Sequence, residues 1–452
     1  MRQSGRLLRV GNRGLRASTG EAMTFGIATL LAERALRLVV ALGVTFLVAR
    51  HLGVAMFGLL STAQAIVALT GPLIVLGLDQ ICVRELVVRP LQRHALLGTT
   101  AALQLAGGGV AALICLGVAW LVPSTIPGLP AFLLVLAILP LLHWPAAGEY
   151  ALRADGRTPT IAAGRLVATL AYLTLAVALL QMDAPPLAFA WLAVADLALL
   201  GMVQLFFLKL AAGGARPVLS RSRAVSLLRD SWPLALAGLA VMVYMRTDQV
   251  MLAGMLGEHE VGIYTAAARI SEAWFVVPTT VAYVVGPALL RRNGVHTAEY
   301  LRQLFGVTRW LIVVTLVLTL VVGLGADRIV TSIYGPAYAA AAAVLTLHFW
   351  SALFVSLGVM QTLWLVATNR ARLSLYRTLL GAAVNVGLNL MLIPRYGVLG
   401  AAAATLFAQM SSTFLSNLVF AQTRQFFVWQ VRTLLLLPVQ PRTASTEPGT
   451  LP

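Results

Sequence analysis

Twelve long apolar stretches, separated by short polar gaps, leave this chain few ways to fold. They run over residues 23–49, 56–78, 95–122, 131–151, 160–182, 187–208, 232–256, 262–290, 304–325, 338–367, 375–394 and 400–423. A helix crossing a bilayer needs ~20 apolar residues at 1.5 Å per residue, and each stretch supplies about that many. The basic residues give the direction of each crossing. Of the 33 Lys and Arg, 23 fall in the N-terminal tail, the even-numbered gaps and the C-terminal tail. The odd-numbered gaps hold three, Arg50, Arg328 and Arg395, and seven lie inside the stretches. Short loops rich in Lys and Arg stay in the cytoplasm. The alternation therefore predicts an all-α integral membrane protein that crosses twelve times, with both termini cytoplasmic.

Composition excludes the main alternatives. The chain is 59% hydrophobic and only 11% charged, more apolar surface than a soluble fold can hide. The formal charge of +17 is spread as a girdle along the inner leaflet rather than gathered in a patch, which argues against nucleic acid and for membrane lipids as partners. Two cysteines, Cys82 and Cys115, are too few for a disulfide framework and read as buried apolar residues. No His, Cys and carboxylate spacing suits a metal, and no phosphate-binding Gly-x-x-x-x-Gly-Lys-Ser/Thr run exists. No odd-numbered gap is large enough for the polar catalytic loop of a polytopic glycosyltransferase or ligase. The expectation is a chain that is not an enzyme and needs no cofactor.

The chain also repeats itself. Leu52-Gly53-Val-Ala-Met-Phe57-Gly58-Leu59 matches Leu256-Gly257-Glu-His-Glu-Val261-Gly262-Ile263 at an offset of 204 residues. One copy joins stretches 1 and 2, the other stretches 7 and 8. Six crossings per half give both halves the same orientation, so the axis relating them runs along the membrane normal. The expected plan is a basic tail over 1–22, a six-helix lobe over 23–208 and a cytoplasmic linker over 209–231. A second six-helix lobe follows over 232–423. A surface-lying segment and disordered tail over 424–452 complete it. Two lobes imply a central cavity that opens to alternate sides.

Ionisable residues at bilayer depth are costly and face a cavity or a partner. The first stretch carries Glu33, Arg34 and Arg37, the seventh Arg246 and Asp248, and the eighth Arg269 and Glu272. Asp196 sits within the sixth stretch, and Asn385 and Asn389 within the eleventh. Arginines on the equivalent first helices of both halves suggest a cationic cleft. Guanidinium forks match phosphate oxygens, so a phosphate or diphosphate suits such a cleft best. The competing reading is that Glu33–Arg37 and Arg269–Glu272 are closed ion pairs holding helices together. Asn385 and Asn389 could equally serve helix-to-helix hydrogen bonding. Glu149, Arg165, Arg309 and Arg377 lie nearer the cytoplasmic ends, where long side chains reach the interface at low cost.

Several segments resemble a known family. Arg246-Thr-Asp248-Gln-Val-Met-Leu, then Leu256-Gly257 and Val261-Gly262-Ile-Tyr264-x-Ala-Ala-x-Arg269-Ile, resembles the seventh and eighth helices of polysaccharide-exporting flippases. Tyr334-Gly335-Pro336-x-Tyr338, Asn385-Val-Gly-Leu-Asn389 with Pro394-x-Tyr396-Gly397-x-x-Gly400-Ala401, and Ala49-Arg50-His-Leu52-Gly53 fit as well. The resemblance covers about residues 22–423 and is to the oligosaccharidyl-lipid flippases (Wzx-type O-antigen translocases) of the multidrug/oligosaccharidyl-lipid/polysaccharide exporter superfamily. It implies transfer of undecaprenyl-diphosphate-linked glycan units from the inner to the outer leaflet of the bacterial inner membrane, by a chain functional as a monomer. It leaves room for partnership with a polysaccharide polymerase and chain-length machinery. On this reading Arg34, Arg37, Arg246, Arg269, Asn385 and Asn389 line the substrate cavity, and Glu33, Asp248 and Glu272 are candidates for ion coupling. A cation-coupled multidrug or small-solute exporter and a polysaccharide ligase or polymerase are the alternatives.

The topology is open to direct test in a background lacking Cys82 and Cys115. Single cysteines placed within 123–130, 183–186 and 257–261 should react with an impermeant thiol reagent from outside the cell. Those within 153–157, 216–229 and 370–372 should not. Labelling of position 221 in intact cells would end the twelve-crossing scheme.

Overall fold

A computed structural model describes residues 4–121, 126–212, 218–293, 298–368 and 370–437. Among them there is no strand. The helices are α1 (Ser4–Val75), α2 (Leu78–Val88), α3 (Arg93–Leu121), α4 (Leu129–Leu136), α5 (Ala146–Ala154), α6 (Thr158–Gln181), α7 (Pro186–Ala212) and α8 (Arg221–Leu256). They continue as α9 (Glu258–Trp274), α10 (Val276–Asn293), α11 (Ala298–Tyr334), α12 (Ala341–Phe349), α13 (Ser351–Ala367), α14 (Ala371–Met410), α15 (Ser416–Val419) and α16 (Arg424–Leu434). A π-helical turn over Ser411–Leu415 joins α14 to α15. The protein is a multi-pass membrane protein.

Among the described residues, nine helical segments are long and apolar enough to cross a membrane, where the sequence predicts twelve crossings. The difference lies in three places. Leu31–Val88 and Arg372–Val419 are counted as single segments of 58 and 48 residues. At 1.5 Å per residue these would be about 87 and 72 Å long, against a hydrocarbon core of ~30 Å. Each is broken at a glycine: Gly53 in α1 (φ 72°, ψ 173°) and Gly397 in α14 (φ 58°, ψ −136°). A methyl group on Gly400 would overlap the Leu392 carbonyl, so the chain folds back tightly around the second break. The third place is the predicted stretch 262–290, which is built as two helices meeting at Phe275. The apolar stretch 375–394 ends at Pro394, but the helix does not. Helix α14 runs through Pro394, and the break comes three residues later at Gly397, where only glycine tolerates the backbone.

Two further expectations change at the ends. Helix α1 begins at Ser4, inside what the sequence reads as a basic tail preceding the first crossing. Helix α16 does lie apart as a short C-terminal helix, but its inner face is docked on protein. Phe426 stacks on Trp364, and Trp429 meets Phe305 edge-on. Beneath them three buried carboxamides form a ring: Gln361 donates to Asn417, Asn417 to Gln430 (2.8 Å), and Gln430 to Gln361 (3.4 Å). The expected disordered tail over the last dozen residues lies outside the described residues.

The chain divides into two compact units. The first takes in residues up to Leu47, Thr70–Leu121 and Pro130–Ala235; the second includes Val48–Leu69 and the chain from Leu236 onward. These units do not coincide with the lobes 23–208 and 232–423 drawn in chain order, because the residues around Gly53 pack with the C-terminal unit. The first unit has a core of Leu78, Cys82, Leu97, Ala147, Tyr150 and Leu227. Its polar edge is held by Arg93, which forks onto Asp155 (2.8 and 2.7 Å) and donates to the Ala211 carbonyl. That fork holds the Asp155 carboxyl below the usual carboxylate range. The end of the linker is tied down too: Val218 N–H reaches the His94 carbonyl and Ser220 N–H the Thr99 hydroxyl. The core of the second unit is aromatic, with Phe305, Met360, Trp364, Phe426 and Trp429.

Inside the second unit the repeated motif becomes a structural relation. Gly53 and Gly257 hold nearly the same backbone (φ 72°, ψ 173° and φ 92°, ψ 176°), which L-residues avoid. Five residues on, Gly58 lies against the Glu258 carbonyl and Gly262 against the Val54 carbonyl. The offset of 204 turns one contact into the other, so the two motifs meet reciprocally, like halves of a dimer interface. Either methyl would press on backbone that cannot rotate away. Gly58→Ala or Gly262→Ala should therefore each destabilise by about 1–3 kcal/mol, seen as a lowered melting temperature in detergent. Gly109→Ala, which meets no atom within 4 Å, should be silent. Equal melting temperatures for all three variants would contradict the close approach.

Candidate functional site

In the second unit the charged residues of α8 and α9 separate into two sites. Arg246 and Asp248 are two positions apart and so point to different faces of α8. Arg246 donates both ends of its fork to Glu272, at 3.2 and 3.3 Å. The pair expected between Arg269 and Glu272 does not form, although both lie on α9. Arg269 instead donates to the Gln64 side chain at 3.5 Å. The i,i+3 spacing made their pairing possible, but the rotation of α9 against α8 brings Glu272 to Arg246.

Asp248 is buried, with 3% of its surface exposed. Its carboxylate accepts from the Tyr264 hydroxyl, from Thr405 at 3.3 Å and from its neighbouring Gln249 N–H at 2.8 Å. From Thr405 the polar chain continues into α14: Asn385 donates to Thr405 at 3.5 Å, and Asn389 to Asn385 at 3.1 Å. Both asparagines are fully buried, and the Asn389 side-chain oxygen has no hydrogen-bond partner among the described residues. A small cavity borders this network and the Arg246–Glu272 pair. It is lined by Tyr244, Asp248, Glu272, His348, Thr405 and Gln409, among others. His348 is held there by the Ser271 hydroxyl at 2.6 Å. A buried carboxylate with hydroxyl and carboxamide oxygens around it can hold a proton or a small cation. Among the described residues no three His, Cys, Asp or Glu are placed to share a metal ion.

The first unit has its own buried network, and it too differs from the expected one. Glu33 faces Arg165 at 3.8 Å rather than Arg37. Arg165 also forks onto Glu149, which is 2% exposed and further takes Arg153 and, at 3.3 Å, Gln204. Arg37 lies 3.7 Å from Asp196 on α7, both about one-third exposed. Arg34, one residue after Glu33, is exposed.

The four residues assigned to the cytoplasmic ends behave differently from one another. Arg309 does reach the C-terminal segment, donating to the Leu437 carbonyl. Glu149 and Arg165 are internal, and Arg377 is 6% exposed against α13. Tyr264, Thr405, His348 and Arg377 join the site residues only through the fold. Tyr264 stands within the motif Val261-Gly262-Ile-Tyr264, whereas Thr405 and His348 sit in apolar stretches that give no signal.

The second unit is thus a helical membrane body with an ion pair and a buried acid in its interior. The fold is similar to that of an inward-facing multidrug resistance MATE family transporter of the MOP superfamily. There the TM-score is 0.67 at 18% identity, covering 90% of this chain and 99% of that one. It is equally similar to the lipid II flippase MurJ in an inward closed conformation, with a TM-score of 0.67 at 11% identity over 90% and 91% of the two chains. A MOP superfamily transporter from Pyrococcus furiosus, described as having a binding pocket of reverse polarity, follows. Its TM-score is 0.61 at 15% identity over 92% and 95%. No curated protein sequence matches the chain. Residues 26–293 match the family of polysaccharide biosynthesis proteins, and the chain belongs to that family.

The pairing makes a sharp mutational contrast. Arg246→Gln or Glu272→Gln alone leaves a part-buried charge without its partner, a cost below the ~3–5 kcal/mol of a fully buried pair. Both should lower protein yield, and the double variant should recover it. Combining Arg269→Gln with Glu272→Gln should not recover yield, since those two residues are not partners. Recovery in the second double and not in the first would reverse the assignment.

Proposed function

We propose that this protein is a flippase that carries undecaprenyl-diphosphate-linked oligosaccharide units from the cytoplasmic to the periplasmic leaflet for surface polysaccharide synthesis. The observation that carries the reading is the combination of a polysaccharide biosynthesis family match with a transporter fold. The protein would sit in the bacterial inner membrane with both termini cytoplasmic, in keeping with the arginine distribution. Each unit offers arginines for the diphosphate: Arg34 and Arg37 in the first, Arg246 and Arg269 in the second. Two of these arginines face carboxylates: Arg246 forks onto Glu272, and one nitrogen of Arg37 lies 3.7 Å from Asp196. A diphosphate would take the place of those carboxylates, which then need a proton or a cation. Glu33, Asp248 and Glu272 are the acids through which an ion gradient would act, with Asn385 and Asn389 extending the Asp248 site.

Reconstitution tests this directly. Vesicles holding the purified protein and a lipid-linked oligosaccharide in one leaflet should expose the glycan to an impermeant lectin or glycosidase on the other side, faster than protein-free vesicles. The equal similarity to a multidrug resistance transporter favours cation-coupled drug export as the second reading. Efflux of a cationic dye from the same vesicles, with no movement of the glycan lipid, would establish that reading instead.

A further inference from the structure

Seven arginines lie inside the apolar stretches, and one of them has a distinctive set of neighbours. Arg377 is 6% exposed on α14, and no carboxylate pairs with it among the described residues. One nitrogen, Nη2, donates to the Gly358 carbonyl at 3.1 Å and to the Thr362 hydroxyl. The other two, Nε and Nη1, are buried and have no hydrogen-bond partner among the described residues. These carry three of the five N–H bonds of the group. A guanidinium cannot shed its proton, and an unpaired buried charge costs several kcal/mol.

The side chain is also held in place. The Thr362 hydroxyl donates to the Gly358 carbonyl at 2.8 Å, so its lone pairs face Arg377. Gly358 has no room for a side chain because Thr413 of the π-helical turn lies against it. Helix α13 is thereby locked beside that turn, and π-helical turns recur at functional sites. The Tyr244 phenol is within electrostatic range of the guanidinium, and it lines the cavity beside Glu272 and Gln409. Arg246, whose partner Glu272 lines that cavity, already has its fork filled.

We infer that Arg377, with the Tyr244 hydroxyl as a further donor, is a diphosphate-recognising residue of the second unit. Its open Nε and Nη1 donors would take phosphoryl oxygens without first displacing a carboxylate. The inference rests on the proposed anionic, lipid-linked substrate and adds to it a residue that the sequence assigns to the membrane edge. A purely structural role, linking α14 to α13 through Gly358, is the competing account, and it predicts no dependence of ligand binding on Arg377.

The test uses the purified full-length protein in detergent, titrated with farnesyl diphosphate, farnesol and inorganic pyrophosphate. Binding is read calorimetrically and folding by size exclusion and melting temperature. The wild-type protein should bind farnesyl diphosphate and not farnesol. Arg377→Met, close in shape and uncharged, should bind the diphosphate about tenfold more weakly or worse while eluting as the wild type does. If Arg377→Met does not fold, Arg377→Lys decides, because it keeps the charge and loses the fork. Wild-type affinity in whichever of these variants folds overturns the inference. Equal binding of farnesol and farnesyl diphosphate by the wild type would instead remove the anionic-ligand reading beneath it. Pyrophosphate as tight as farnesyl diphosphate, lost with Arg377, would keep the diphosphate site but assign it to the free anion.

Discussion

A buried guanidinium or carboxylate in a membrane body has to find its partner within the protein, and the arrangement of helices around Arg246, Glu272 and Asp248 follows from that requirement. The Arg246–Glu272 fork ties α8 to α9. Asp248, on the other face of α8, gathers Tyr264 from α9 and Thr405 from α14. One helix thus organises two networks because two adjacent charges point apart. Glu149 plays the corresponding part in the first unit, where Arg153, Arg165 and Gln204 converge on a single carboxylate. Water is the usual solvent of such groups; in hydrocarbon the protein itself must replace it.

Glycine supplies the second constraint. Long apolar helices would run far past the bilayer unless the chain could turn sharply, and Gly53 and Gly397 adopt backbone conformations that other residues avoid. Gly58 and Gly262 do something different. They let the backbones of the two repeated motifs approach until each helix start touches the other's second glycine. Small residues at close helix crossings are the common solution in membranes, where no hydrophobic force pulls apolar helices together.

Under the proposed function, these features would bear on transport through charge exchange. An arginine already forked onto a carboxylate can accept a diphosphate only as the carboxylate leaves, and a released buried acid must then be neutralised. On the proposed flippase reading, anion recognition and ion uptake would be two sides of one event, a physical route to coupling. Arg377 stands outside that exchange, since its partners are a carbonyl and a hydroxyl and most of its donors are open.

The sequence by itself determined that the chain is helical and membrane-spanning, because apolar length and arginine alternation are local properties that no packing can alter. It also located the glycines of the repeat, since their positive-φ conformation depends on residue type. The tertiary structure decided which charges meet. Spacing along one helix allowed Glu33–Arg37 and Arg269–Glu272, yet the fold pairs Glu33 with Arg165, Arg37 with Asp196 and Arg246 with Glu272. It likewise placed the break in α14 at Gly397, beyond Pro394, and buried Arg377 against α13. The reason is the same in each case. How far a helix is rotated about its axis, and which neighbour it then faces, is set by packing against other helices and is not written in the residues of that helix alone.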